Sequence, residues 1–231
     1  MKITKVKLNT TSARQRFESF AQNVIKTTQQ NKGPNPLAFS NQLREFGDIF
    51  VNEHQQETMN NCSKKLAETL VSKKALALAG RVYSFLIKFN QGNRGAVEEF
   101  ATNALIIAKR MHDPVHIMAR ANDLKEIYKY TQHSSDKHLS VLFDEKRALS
   151  SIVKDYEGAK KRYVSAHTKM KPVEQYEEQL AIIKIEIAEI LIRRNEKGAA
   201  KIELKEALEI YERIGTGINS EKAENLLRKL G

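Results

Sequence analysis

The residues best suited to metal binding or nucleophilic chemistry are six histidines and one cysteine, and their spacing argues against both uses. His112 and His116 stand four apart, the separation that puts two imidazoles on one helix face. Pro114 lies between them and opens a new helix, so the pair does not share a face. His133 and His138 fall in or beside the polar stretch HSSD, with no cysteine or carboxylate cluster nearby. These histidines are expected to be solvated, and no metal site or other cofactor is expected. Cys62 has no second cysteine to pair with, which suits a reducing compartment. It lies on the stripe Met59, Cys62, Leu66, Leu70, where a small buried apolar residue is the expectation rather than a reactive thiol. QGNRG (91 to 95) is a helix-to-helix turn without the preceding strand that a phosphate loop needs. A catalytic triad assembled by folding would not show in one sequence. What the spacing does show leads us to expect a protein that is not an enzyme.

The remaining chemistry is charge. The net charge is +11, and residues 1 to 50 hold eight Lys/Arg against three Asp/Glu, so the excess is concentrated near the start. A second basic cluster, KDYEGAKKRYVSAHTKMK (154 to 171), has six Lys/Arg to two acids. Clustered cations neutralise phosphates, which makes RNA or DNA binding the alternative reading. Tyr156 and Tyr163 flank Lys160, Lys161 and Arg162, but they stand seven apart, the spacing of an ordinary core stripe. No apolar run approaches the roughly 18 to 20 residues of a membrane span, and the start lacks the apolar stretch of a secretory signal. A soluble, cytoplasmic protein is expected. The basic, Ser- and Thr-containing start leaves an organelle-targeting leader open; otherwise residues 1 to about 12 are expected to be a mobile arm.

These groups must be carried by helices. There are 10 Gly, 4 Pro and no Trp in 231 residues, a composition that favours long helices over turn-rich β structure. NKGPNPLAF (31 to 39) is the clearest linker. Before it, Phe17, Phe20 and Val24 mark a short amphipathic helix; after it, Leu43, Phe46 and Phe50 mark another. Asp113-Pro114 reads as an N-cap followed by proline at the first helical position. AIIKIEIAEILI (181 to 192) alternates in its middle as a strand would, but Leu180, Ile183, Ile187, Ile190 and Leu191 also fit a helical face, and helix is the reading adopted. About nine to eleven helices and no sheet are predicted. The expected organisation is a basic arm and short helix (1–35), a helical extension (36–73) and a repeat region with a capping helix (74–231).

The repeat shows in two segments. GAVEEFATNALIIAKRM (95 to 111) and GAAKIELKEALEIYERI (198 to 214) share six identities in seventeen, where chance gives about one. The stretch from about Lys184 to Glu212 resembles a tetratricopeptide repeat: Ala200 and Ala207 match the small residues that let two helices approach, Leu204 the large residue between them, and Ile187, Ala188 and Leu191 the first helix. The middle unit, 114 to about 150, is looser: Leu124, Lys125 and Tyr128 match the first helix, with Lys where the family usually has Gly. The resemblance implies an all-α superhelix of antiparallel helix pairs, irregular in its units, acting as a protein- or peptide-binding adaptor or scaffold. It also implies that first helices line a concave groove, which carries over to Asn122, Glu126, Lys129, Tyr130, Glu189 and Arg193. Ile182, Ile185 and Ile192 join that face, either as an apolar floor or partly covered by the 139 to 167 region. A partner with acidic groups is expected at Lys129 and Arg193; self-association stays open.

Overall fold

A computed structural model describes residues 12–30, 32–129, 135–164, 170–215 and 219–231. The predicted arm therefore lies almost wholly outside the described residues. Every described regular element is a helix, eleven in all. Two compact units divide the chain, Met1–Ile107 and Ala108–Gly231.

The first unit contains α1 (Ala13–Gln29), α2 (Pro36–Asn52), α3 (Gln56–Ser72), α4 (Leu76–Phe89) and most of α5 (Arg94–Arg110). Ser12 starts α1 with a reciprocal capping box to Gln15. Asn35 accepts from the amides of Leu37 and Ala38 while Pro36 takes the first helical position of α2. The predicted stripes turn inward: Phe17, Val24, Leu43, Phe50, Met59, Leu66 and Leu70 are buried. Rings of α1 and α2 interlock, with Phe17 and Phe46 centroids 5.2 Å apart and edge-on. Cys62 departs from expectation, being half-buried, while its neighbour Ser63 takes the fully buried place. Tyr83 faces Phe100, and a Cβ on Gly80 would lie 3.7 Å from Ile107, so α4 and α5 run antiparallel. Ser40 meets Arg81 and Gly47 meets Phe85, which makes α2 and α4 parallel, as equivalent helices of successive pairs are. A Cβ on Gly47 would come within 3.0 Å of the Phe85 ring.

The second unit contains α6 (Pro114–Tyr128), α7 (Ser135–Lys154), α8 (Tyr156–Val164), α9 (Val173–Arg193), α10 (Lys197–Ile214) and α11 (Ser220–Lys229). The 181 to 192 segment is helical throughout, inside α9. Asp155 ends α7 and caps α8, its carboxylate accepting from the Gly158 amide at 3.1 Å. The first helix of the last pair is longer than the repeat alignment suggests, starting at Val173 rather than near Lys184. Ala200 and Ala207 are fully buried where α10 packs on α9. Arg213 of α10 holds Glu177 of α9 at 2.9 Å, and Lys184 meets Glu206, which fixes these helices as antiparallel.

A shared turn joins many of the helices. His54, Lys74, His112 and Asn195 each take a left-handed conformation, with φ of 55°, 61°, 52° and 61°. After each, the next amide reaches back five residues: Gln55 to Phe50 O (2.8 Å), Ala75 to Leu70 O (2.8 Å), Asp113 to Ala108 O (3.2 Å) and Glu196 to Leu191 O (2.8 Å). This closure satisfies a terminal carbonyl while the accepting residue stays in the core. Glycine usually supplies the left-handed residue; here His, Lys and Asn do.

Candidate functional site: an exposed cationic corner backed by buried charges

The predicted groove residues separate into three groups. Asn122, Glu126 and Lys129 are exposed on or just past α6, and Arg193 is exposed at the end of α9. Ile182 and Ile192 are half-buried, and Glu189 is held by Lys222 of α11 at 2.8 Å. Ile185 is a correction: it is 2% exposed within the core cluster that α9 shares with α7 and α10, so it is no part of an open floor. Its burial follows from geometry, because α9 packs against both of those helices. Tyr130 lies outside the described residues.

The charges of three of these residues, Glu126, Lys129 and Arg193, act on one histidine. Contacts place the ends of α6 and α9 against the first turns of α7: Lys137 sits 5.7 Å from the Tyr128 ring centroid, and Arg194 pairs with Asp136. His138 lies one residue further along α7. It is half-buried, and its Nε2 is covered by protein without a hydrogen-bond partner among the described residues. Burial first, then the positive charges of Lys125, Arg193 and Lys129, hold the imidazole below the usual histidine range; Glu126 offsets this in part. The expectation of solvated histidines thus fails at His138, while His116 keeps to it, half exposed with Nδ1 2.7 Å from Asp113 Oδ2. Arg193 makes no hydrogen bond or ion pair among the described residues.

Behind this corner lies a charge network that the sequence reading missed. Glu145 of α7 is 0% exposed. The Lys125 ammonium approaches its Oε2 at 3.3 Å, close enough to attract but off the line of a hydrogen bond, and Gln179 of α9 donates to its Oε1 at 3.1 Å. Lys125 also lies 3.7 Å from Glu186 of α9. Burial pushes the Glu145 carboxyl up, more than Lys125 and Gln179 pull it down. A second group joins α7, α9 and α10: Lys184 meets Glu203 at 3.4 Å and also Glu206, while Lys146 meets Glu203. Asp144, also buried, takes Lys109 and Arg147. The signal was present at Lys125, a lysine where the helix-pair pattern wants glycine; its partner twenty residues on, in α7, could not be read from it.

The alternative basic cluster looks different. Tyr156 packs its ring against Tyr176, donates its hydroxyl to Lys171 O at 2.7 Å and carries Lys160 over its face. This tyrosine is engaged in holding α8 and the approach to α9. The side chains of residues 162–169 lie outside the description.

Packed antiparallel helix pairs define the class of protein at the level of fold: an all-α helical-repeat arrangement. No family model matches the chain, and no curated protein matches it. Among solved structures it is similar to BtubC (BKLC) from P. vanneervenii, with a TM-score of 0.45 and 13% identity over 95% of this chain and 83% of that one. It is also similar to the structure described as the DHF119 filament, with a TM-score of 0.25 and 15% identity over 93% of this chain and 92% of that one. Likenesses this distant bear on neither function nor partner. Among the described residues no helix is long and apolar enough to cross a membrane.

Proposed function

We propose that this protein is a non-enzymatic adaptor of tetratricopeptide-like helix pairs whose second unit docks an acidic peptide segment at the ends of α6 and α9. The observation that carries the reading is Arg193, exposed at the end of α9 and without a hydrogen bond or ion pair among the described residues, its charge and that of Lys129 both acting on His138. A partner's carboxylates would supply the counter-charges, steering association and fixing register at the rim. Ile192, half-buried and next to Arg193 in the chain, offers a limited apolar contact.

The test uses an acetylated hexa-aspartate peptide and its hexa-asparagine counterpart, read by fluorescence anisotropy. Wild-type protein is expected to bind only the acidic peptide. Lys129→Glu with Arg193→Glu should weaken binding roughly tenfold or more, with the thermal midpoint nearly unchanged because exposed charges add little to stability. The same change of net charge at Lys160 and Lys161 on α8 is the control. Equal loss from both double variants would reduce the corner to general basicity and overturn the reading. Tighter binding of a single-stranded RNA than of the peptide, lost on the α8 variant, would move the function to nucleic acid.

A further inference from the structure

We infer that the groove between α2 and α4, in the first unit, is a second docking surface and takes an acidic amphipathic helix of a partner protein. The two helices run parallel and meet where the Phe85 ring lies against Gly47. With about 3.6 residues per turn, each position is rotated by roughly 100° from the one before it. On α2, Leu43 and Phe50 therefore turn to one side of Gly47, while Leu37, Arg44 and Val51 turn to the other, about 40–80° from it. On α4, Val82 and Leu86 turn to one side of Phe85, while Arg81 and Lys88 turn about 40–60° the opposite way. Burial agrees with this division: Leu43, Phe50, Val82 and Leu86 are 0% exposed, whereas Leu37 is 60% and Val51 41% exposed. Because the helices are parallel, their two outward sides fall on one face of the pair and border a single shallow groove.

The chemistry of the groove selects its occupant. Leu37 and Val51 stand about 21 Å apart along α2 at about 1.5 Å per residue, one near each end of the helix. Between those apolar ends lie three cations. Arg44 and Lys88 are exposed and have no hydrogen bond or ion pair among the described residues, and Arg81 donates to the uncharged Ser40 hydroxyl at 3.3 Å. No Asp or Glu occurs in α4, and Asp48 is the α2 acid rotated closest to this face, so positive charge exceeds negative. A partner helix of about four turns spans the same length. Its apolar stripe meets Leu37, the half-buried Phe85 and Val51, and its carboxylates meet the cations. The apolar ends supply contact area, while the charges set register. A phosphate backbone would satisfy the cations but leave Leu37 and Val51 bare. The chain's own residues 1–11 are unsuited as occupant, since they hold Lys2, Lys5 and Lys7 and no acid.

The probe is an acetylated, fluorescently labelled sixteen-residue peptide of glutamate with leucine at every third or fourth position, read by anisotropy. One counterpart has glutamine for each glutamate, and another has asparagine for each leucine. Wild-type protein is expected to bind the first peptide roughly tenfold or more tightly than either counterpart. Leu37→Ser with Val51→Ser, and separately Arg44→Glu with Lys88→Glu, should each weaken binding roughly tenfold. Helical circular dichroism should stay unchanged in both, because all four side chains are exposed. Lys129→Glu with Arg193→Glu should keep the wild-type affinity, so the groove and the corner of the second unit stand or fall separately. Equal loss from that variant would place the peptide at the corner and overturn the groove. Binding that survives the Leu37 and Val51 changes would reduce the site to charge alone and overturn it, as would no binding by wild type. Sedimentation showing a wild-type dimer that the same two changes disperse would make a second copy of this chain the occupant, overturning the acidic partner. Tighter binding of polyuridylate than of the peptide, lost on Arg44→Glu with Lys88→Glu, would overturn it in favour of nucleic acid.

Discussion

The two units bury different things. Among the described residues of the first, the buried side chains are hydrophobic apart from Ser63, and a cross-helix polar link between α3 and α4 is a neutral one: Asn60 and Asn90 exchange amide hydrogen bonds, 2.8 Å each way. In the second, Lys125, Asp144, Glu145, Lys184 and Glu203 are all buried. A neutral amide pair satisfies both partners at small desolvation cost, whereas a buried ion pair must first recover the hydration it gave up. The first unit can therefore lose a polar link with modest damage. The second would be left with a stranded charge. The contrast also explains why the pH-sensitive groups with a built environment, His138 and Glu145, both sit in the second unit.

The largest effect expected from this contrast is at Lys125. Lys125→Met should cost about 3–5 kcal/mol by chemical denaturation, because Glu145 would stay buried without its cation. Adding Glu145→Leu to Lys125→Met should recover most of that loss, since a pair replaced by apolar groups no longer strands a charge. Failure of the second change to recover stability would mean that Lys125 matters through its packing instead. Next comes Ala207→Phe, expected to cost about 1–3 kcal/mol by overpacking the α9–α10 contact; an unchanged thermal midpoint would show that the two helices can separate freely there. Asn90→Ala in the first unit should cost only about 1 kcal/mol, since Asn60 is half-buried and water can replace its partner. A cost equal to that of Lys125→Met would erase the distinction between the units.

The smallest effect is a pH dependence. The folded Glu145 carboxyl titrates above its ordinary 4.5, so its contribution to stability is fully present below that value and is lost as pH rises through the folded one. Glu206 works in the opposite sense: the Lys184 hydrogen bond lowers it, giving stability that is present above 4.5 and lost as pH falls through its folded value. Glu145→Gln should thus gain relative to wild type as pH is raised from about 5 to 8, measured as the difference in urea midpoints. A difference that stays level or shrinks would show that Lys125 compensates Glu145 in full.

Much of the helical arrangement was legible because it depends on local rules. Asn35-Pro36 and Asp113-Pro114 announce two helix starts through a cap and a fixed φ, and both are used as such. Ala207 and Ala104, equivalent in the two quoted segments, are both buried, as a repeated contact face requires. The left-handed turns were not legible: His54, Lys74, His112 and Asn195 stand where a reader looks for glycine. Of the candidate site, Glu126, Lys129 and Arg193 were legible from the helix-pair pattern, and His138 was not.

The sequence by itself determined that this chain is helical, where several helices begin, and which small residues permit close approach, because each of these follows from side-chain size, periodicity and capping within a few residues. Only the tertiary structure decided which charges are buried and which face of α9 is covered. Ile185 and Arg193 sit on one helix at spacings that a periodic pattern treats alike. One is enclosed and the other exposed. Burial is set by the neighbours that α7 and α10 provide, and the partner of a buried lysine is chosen by packing across helices rather than by distance along the chain.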